Sequence, residues 1–285
     1  MELFIQTLSN TLVLAAVYIL VSLGFAFLFN MLGVFNVAHG AIYMAAGYLG
    51  YLFIGGLGLD QWVGLILVVV VMAALGLFVE KFCFRPFLGD FNRQIMIGVA
   101  IIAILTTTVN VVIGSQSYVI PTFVQGNLVA GGYSVLWERI FAFGLGAILL
   151  TAVIIFVNRT RWGKQMQAIT QNMEGAALQG INVHRISGLV AALGFALAGV
   201  AGVLVGSMYS LDPFMGDNTL TKILILVILS GVGSFKGVVI IGLVIGALYS
   251  VLPVYLPGTA SDAVAVAIVL VILLFRPQGL FGHEV

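Results

Sequence analysis

Residues 12 to 29 read LVLAAVYILVSLGFAFLF, a run without a single charge, and runs of this kind recur along the chain. Such a run is long enough for a helix to enter ~30 Å of hydrocarbon and too long to be an ordinary core segment. Hydrophobic residues make up 62% of the chain and charged residues 7%. Soluble domains carry roughly a quarter charged residues, so this chain lacks the polar surface that water demands. The alternating pattern of a membrane barrel is absent, which leaves an all-α polytopic membrane protein as the expected class.

The apolar runs predict nine spans, at 8–29, 39–57, 62–82, 95–114, 139–157, 186–207, 218–234, 237–252 and 262–275. The expectation is thus a bundle of 8–9 helices, some short or broken, in one transmembrane domain covering 1–285. The seventh and eighth are the shortest and are separated only by the turn GSFKG. Lysine and arginine set orientation, because basic loops stay inside. Placing the N-terminus outside puts Lys81, Arg85, Arg93, Arg159, Arg161, Lys164, Arg185, Lys236 and Arg276 on the inner side, against only Arg139 and Lys222 elsewhere. That asymmetry predicts a periplasmic N-terminus and a cytoplasmic C-terminus. MELFIQTLSNTL has no Lys or Arg, so no cleaved signal is expected. The single cysteine, Cys83, rules out an internal disulfide. A net charge of +1 gives no sign of nucleic acid.

Two loops stand out: 115–138 on the outer side, uncharged until Glu138, and 158–185 on the inner side, the longest polar stretch. Within the latter, Met166, Ile169, Met173 and Ala177 recur at helical spacing, and Gly180 is placed to end a helix. A plain surface helix and a partner-binding helix both fit this pattern. The phosphate-binding pattern GxxxxGK[ST] is missing, as are paired intramembrane aspartates and HExxH, so no enzymatic chemistry is expected from the chain itself. The small residues Ala198, Gly202 and Gly206, and Gly242 and Gly246, stand four apart and read as helix-packing seams.

The stretch VFNVAHG, residues 34 to 40, interrupts the oiliest part of the sequence. Asn36 is an N-cap candidate, able to accept a hydrogen bond from an amide two or three residues on. Either this is an inner turn with Asn36 and His39 locally satisfied, or it is a helix start inside the membrane, facing a cavity and offering free amides to an anion. Asn36, His39, Gly40 and Tyr43 are the candidates for such a path, joined by Thr107 and Asn110 from the polar patch of the fourth span; helix packing is the competing role of that patch. Metal binding by His39 is not expected, since His184 and His283 lie in the inner loop and the tail. Lys222 is placed to snorkel outward, with Asp212 and Asp217 as helix caps, ion partners for it, or contacts for a docking protein. Acidic residues secure inside a span, which proton or sodium coupling requires, are not expected.

Four segments together resemble a known family. Glu174, Ala176 and Gly180 keep the outline ExAxxxG of the coupling loop in ATP-binding-cassette importer permeases, within MQAITQNMEGAALQGINVHRISGLVAALGFALAGVAGVLVG. FNVAHGAIYMAAGYLG, LSGVGSFKGVVIIGLVIGAL and RPQGLFG are similar to further motifs, in the same order, of branched-chain amino acid permeases of the shorter, H-type class. The resemblance implies one subunit of a five-part importer: a second, unlike permease forming a heterodimer, two ATP-binding subunits holding ATP and magnesium, and a periplasmic substrate-binding protein, all at the bacterial inner membrane. It implies no cofactor in this chain. It also implies that Thr170, Gln171, Asn172, Met173, Glu174, Ala176, Ala177 and Gly180 form the coupling helix. The family's histidine-glycine pair is often followed by glutamate, where this chain has Ala41, and Phe235-Lys236-Gly237 departs from its glycine-rich turn. These departures leave urea or short amides open as alternative cargo.

Overall fold

The computed structural model describes residues 2–114, 116–130, 133–231 and 233–282. Ser115, Gly131 and Gly132 of the expected outer loop, Val232 of the glycine-rich turn, and His283 lie outside them.

Helix α1 (Glu2–Leu32) is followed by the short α2 (His39–Gly50), which runs on as a π-helical segment, Tyr51–Gly56. Helix α3 (Gln61–Val79) likewise continues through a π-helical segment, Glu80–Phe84, before α4 (Phe91–Val112). Strands β1 (Asn127–Ala130) and β2 (Tyr133–Leu136) then pair antiparallel, with Leu128 opposite Val135. Seven helices complete the chain: α5 (Trp137–Arg159), α6 (Arg161–Gln171), α7 (Met173–Leu178), α8 (Val183–Met208), α9 (Met215–Ser230), α10 (Phe235–Tyr255) and α11 (Gly258–Phe275). Polar residues start these helices where the sequence gives them the chance. Asp60 accepts from the Trp62 amide at 2.9 Å, Asp90 from Arg93 at 3.1 Å, Asn182 from Arg185 at 3.0 Å and Ser234 from Gly237 at 3.0 Å. Each satisfies an amide that the first turn would otherwise leave without a partner.

Among the described residues, seven helices are long and apolar enough to cross a membrane: those within 4–32, 61–87, 91–112, 137–159, 183–208, 235–255 and 258–275. The chain is therefore a mostly helical, multi-pass membrane protein. The expected second span is an α-helix of 12 residues with a π-helical extension of 6, and the expected seventh is 16 residues long. The eighth, read as short from the sequence, is a full 21 residues because the helix runs past Pro253, with Pro253 only two residues from its end. The outer loop is not wholly irregular, since it folds into the β1–β2 hairpin.

Helix α8 occupies the middle of the bundle, packed on α1, α2 and α3, while α1 also meets α5 and α10. Helices α4, α5 and α11 lie outside, with Met96, Val111, Ile148 and Leu274 exposed, as lipid-facing positions should be. Two of the small residues expected to pack helices, Gly202 and Gly246, lie against a neighbouring backbone. A side chain on Gly202 would reach within 2.5 Å of the Tyr43 carbonyl oxygen, and one on Gly246 within 2.7 Å of Ala15. Gly24 and Gly194 make a similar crossing of α1 and α8. Without a strong hydrophobic drive between helices in lipid, such close contact supplies much of the cohesion.

Two motifs far apart in sequence join at one end of the bundle. The Leu280 amide of RPQGLFG donates to the Leu229 carbonyl at 2.8 Å, and Gly279 and Gly282 lie against Gly231. Phe235 of the same turn packs on Phe27 of α1, ring centroids 5.3 Å apart.

Candidate functional site

The polar element between α5 and α8 is built on three caps. Thr160 accepts from Gly163 at 3.0 Å and opens α6. Asn172 is extended, with φ −159 and ψ 106, and its side chain accepts from Gly175 at 2.7 Å to open α7. Gly180, at φ 82, lets the chain turn out of α7. There the Gly180 amide donates to Ala177 and the Ile181 amide to Ala176, the paired bonds of a Schellman end. The single helix expected over 163–182 is thus two helices. The break at Asn172 resets the helical phase: Met166, Ile169 and Ala176 are buried, Met173 is half-buried, and Ala177 is exposed. Thr170, Gln171, Asn172, Glu174 and Gly180 are exposed. Leu178, which the sequence reading passed over, is the most outward of all at 87% exposed. Its i,i+4 relation to Glu174 was the available signal.

Within VFNVAHG the two polar side chains are buried. Asn36 and His39 are both 0% exposed. Asn36 accepts from the Ala38 amide at 3.1 Å, two residues on, but it is not the N-cap expected from the sequence: α2 begins at His39, its cap position is Ala38, and no side chain caps it. His39 Nε2 lies 3.1 Å from the Val21 carbonyl oxygen of α1, its ring edge-on to Phe25 and Phe195. Asn36 Nδ2 and His39 Nδ1 have no partner among the described residues. Gly40 presses on the Gly216 carbonyl of α9. This stretch ties α2 to α1, α8 and α9.

Of the path candidates, Tyr43 faces a cavity. The space, about 170 Å³, lies between α1, α2, α8 and α9, toward the end that carries the hairpin. Its lining is mixed: polar groups come from Tyr18, Tyr43, Tyr209, Ser210, Asn218 and Thr219, and apolar ones from Leu14, Val17, Val205 and Met215. Tyr209 donates to Asn10 Oδ1 at 2.6 Å, and Asn10 to Ser250 Oγ at 3.2 Å, which fixes the mouth to α1 and α10. Thr107 and Asn110 are elsewhere, on α4: Thr107 is exposed, and Asn110 donates back to the Thr106 carbonyl at 2.9 Å. A second, larger depression of about 360 Å³, among α1, α3, α5 and α8, is lined by Phe27, Val69, Leu149, Phe156, Leu193 and other apolar side chains, and offers nothing to orient a polar solute.

Two acids, Glu80 and Glu138, are buried. Glu80, 2% exposed, accepts from Arg85 Nε at 3.0 Å and from Ser187 Oγ at 2.6 Å, while Arg85 also donates to the His184 carbonyl at 3.1 Å. Glu138 accepts from Ser207 Oγ at 2.6 Å and the Val124 amide at 2.9 Å. Both are fully engaged in joining segments, unlike the exchangeable carboxyls of ion-coupled carriers. Asp212 caps a turn, accepting from Phe214 at 2.7 Å. The ion pair of Lys222 with Asp212 or Asp217 does not form; the ammonium sits 4.4 Å from the Tyr249 ring centroid and 5.9 Å from that of Tyr18. No group of three or more metal-ligating side chains occurs among the described residues.

Comparison with known proteins matches this architecture. The family described as branched-chain amino acid transport system, permease component, covers residues 7–274. The chain is 30% identical to the high-affinity branched-chain amino acid transport system permease protein BraD of Pseudomonas aeruginosa, over 98% of this chain and 96% of that one. It is 28% identical to LivH of Escherichia coli K12, a protein of the same description, with the same coverage. A probable branched-chain amino acid transport permease of Methanocaldococcus jannaschii is 24% identical over 97% of this chain. With the family matched over residues 7–274, the chain belongs to the branched-chain amino acid transport system permease family.

Proposed function

We propose that the chain is the H-type membrane subunit of an ATP-driven importer that carries branched-chain or other hydrophobic amino acids across the bacterial inner membrane. The observation that carries this reading is the cap-defined pair α6–α7, which turns Thr170, Gln171, Asn172, Glu174 and Leu178 outward at the end of the bundle opposite the cavity. Its partners are a second, unlike permease, two ATP-binding subunits that hold ATP and magnesium, and a periplasmic binding protein. The whole chain acts as one permease domain with the N-terminus periplasmic, and with α2 and α9 completing nine crossings against the partner permease. Closure of the ATP-binding subunits pushes α7, and the bundle rocks about the cavity as a rigid body. The amphipathic cavity suits a solute with one polar and one branched apolar end, which favours amino acids over urea.

The test is co-expression with the partner permease and the ATP-binding subunits, followed by purification and ATPase assay. The complex should form, and Glu174→Lys with Gln171→Lys should cut ATPase activity stimulated by loaded binding protein at least about tenfold, since burying like or unpaired charge at an interface costs several kcal/mol. A protein that purifies alone and moves leucine into liposomes without ATP would overturn the reading.

A further inference from the structure

Lys222 stands two turns into α9 and is half-buried. The ion pairs among the described residues are Glu80–Arg85 and Asp90–Arg93, so Lys222 has no carboxylate within 4.0 Å. Its ammonium is instead held over the faces of Tyr249 and Tyr18, which pack edge to face at 6.2 Å. Aromatic faces attract a cation without neutralising it, so the charge is kept in place and remains available. Asp262 of α11 contributes a field at this lysine but no ion pair.

The position relates directly to the cavity. Asn218 and Thr219 line it, and Lys222 follows them by four and three residues, the spacing that keeps side chains on one helix face. Tyr18 belongs to both places: its ring forms part of the cavity wall and sits beneath the ammonium. Leu14, Val17, Val205 and Met215 supply the cavity's apolar lining. A cavity of ~150 Å³ accommodates a benzene-sized apolar group, so 170 Å³ takes a branched aliphatic side chain. None of the cavity's lining residues carries a formal charge; the Lys222 ammonium lies 5.9 Å from the ring centroid of Tyr18, which lines the cavity.

We propose that Lys222 is the carboxylate anchor of the transport path: a zwitterionic amino acid enters the cavity with its side chain against Leu14, Val17, Val205 and Met215, and its carboxylate is drawn to the Lys222 ammonium. Tyr249 and Tyr18 position that ammonium, and the tyrosine, serine and threonine hydroxyls and Asn218 receive the amino group. This assignment rests on the importer reading above and adds to it the residue that selects for an acid over an amide.

The experiment uses the complete complex in liposomes, with leucine uptake and ATPase activity measured separately. Lys222→Met should assemble and keep its basal ATPase activity while leucine uptake falls at least about tenfold, the range for losing a hydrogen bond to a charged group; Lys222→Arg should restore most of it. Asp262→Asn should leave uptake near wild type. Unchanged uptake in Lys222→Met would overturn the assignment, and so would an equal loss in Asp262→Asn, which would make the lysine a structural counter-ion. A wild-type complex that assembles and hydrolyses ATP but imports no leucine would reject the cargo reading, and the anchor with it.

Discussion

Glu138 shows how much one side chain contributes when both its oxygens are used. Oε1 takes the Ser207 hydroxyl and Oε2 the Val124 amide, so a single carboxylate fastens the outer segment to the end of α8. Replacing it with leucine leaves the Val124 amide without its acceptor, at about 1–3 kcal/mol for an unsatisfied buried group, while the Ser207 hydroxyl keeps only the Leu204 carbonyl. Glu138→Leu should therefore lower the thermal midpoint of the purified protein clearly more than Ser207→Ala, which leaves the Val124 amide paired. Equal midpoints would show that the carboxylate does not hold this segment. From sequence, Glu138 looked like the edge of a loop, because nothing in one dimension announces that a serine 69 residues later will meet it. His39 and Asn36 were legible as unusual residues, but their roles were not. Their neighbours, Val21, Phe25 and Phe195, come from elements that only the fold brings together.

At the level of elements, composition and caps made most helices readable. Long apolar runs give α1, α3, α4, α5, α8, α10 and α11, and the caps Asp60, Asp90, Asn182 and Ser234 mark four of the starts. The pair α6–α7 was harder, since Met166, Ile169, Met173 and Ala177 carry one helical period across a position where the chain stops being helical. Asn172 wins that contest because its side chain, by accepting from Gly175, stabilises an extended backbone that interior helix positions disallow. Asn172→Ala should thus cost about 1 kcal/mol of local stability and let α6 run into α7. The measurement is amide hydrogen exchange over 170–180, expected to change, together with transport-coupled ATPase activity, expected to fall while basal activity holds. Exchange unaltered from wild type would count against the cap.

The molecule as a whole is closed by contacts between its extremes. RPQGLFG, the last motif, lies on the turn between α9 and α10, where Gly231 has φ 84 and its Cβ position is occupied by the backbone of Gly282. Gly231→Val should lower the thermal midpoint, by about 1–3 kcal/mol for the backbone conformation alone, and removing 279–282 should return only part of the loss. Full recovery on truncation would mean that crowding, not backbone strain, decides. The sequence carried both motifs plainly, yet not their meeting. The cavity was less legible still: its walls come from residues 14 to 219, and of the six positions proposed for the path only Tyr43 reaches it.

Helix α8 has a mechanical consequence. It starts at Val183, three residues after the turn at Gly180 that ends α7, and finishes at Met208, one residue before Tyr209 at the cavity. Its 26 residues make a strut of about 39 Å at 1.5 Å per residue, and its first turn is bolted to α3 through Ser187, Glu80 and Arg85. An unbroken helix is stiff along its axis, so a thrust delivered at one end arrives at the other with little lost on the way. Under the proposed function, a push on α7 would reach the cavity along this one helix, with no relay of side-chain rearrangements required.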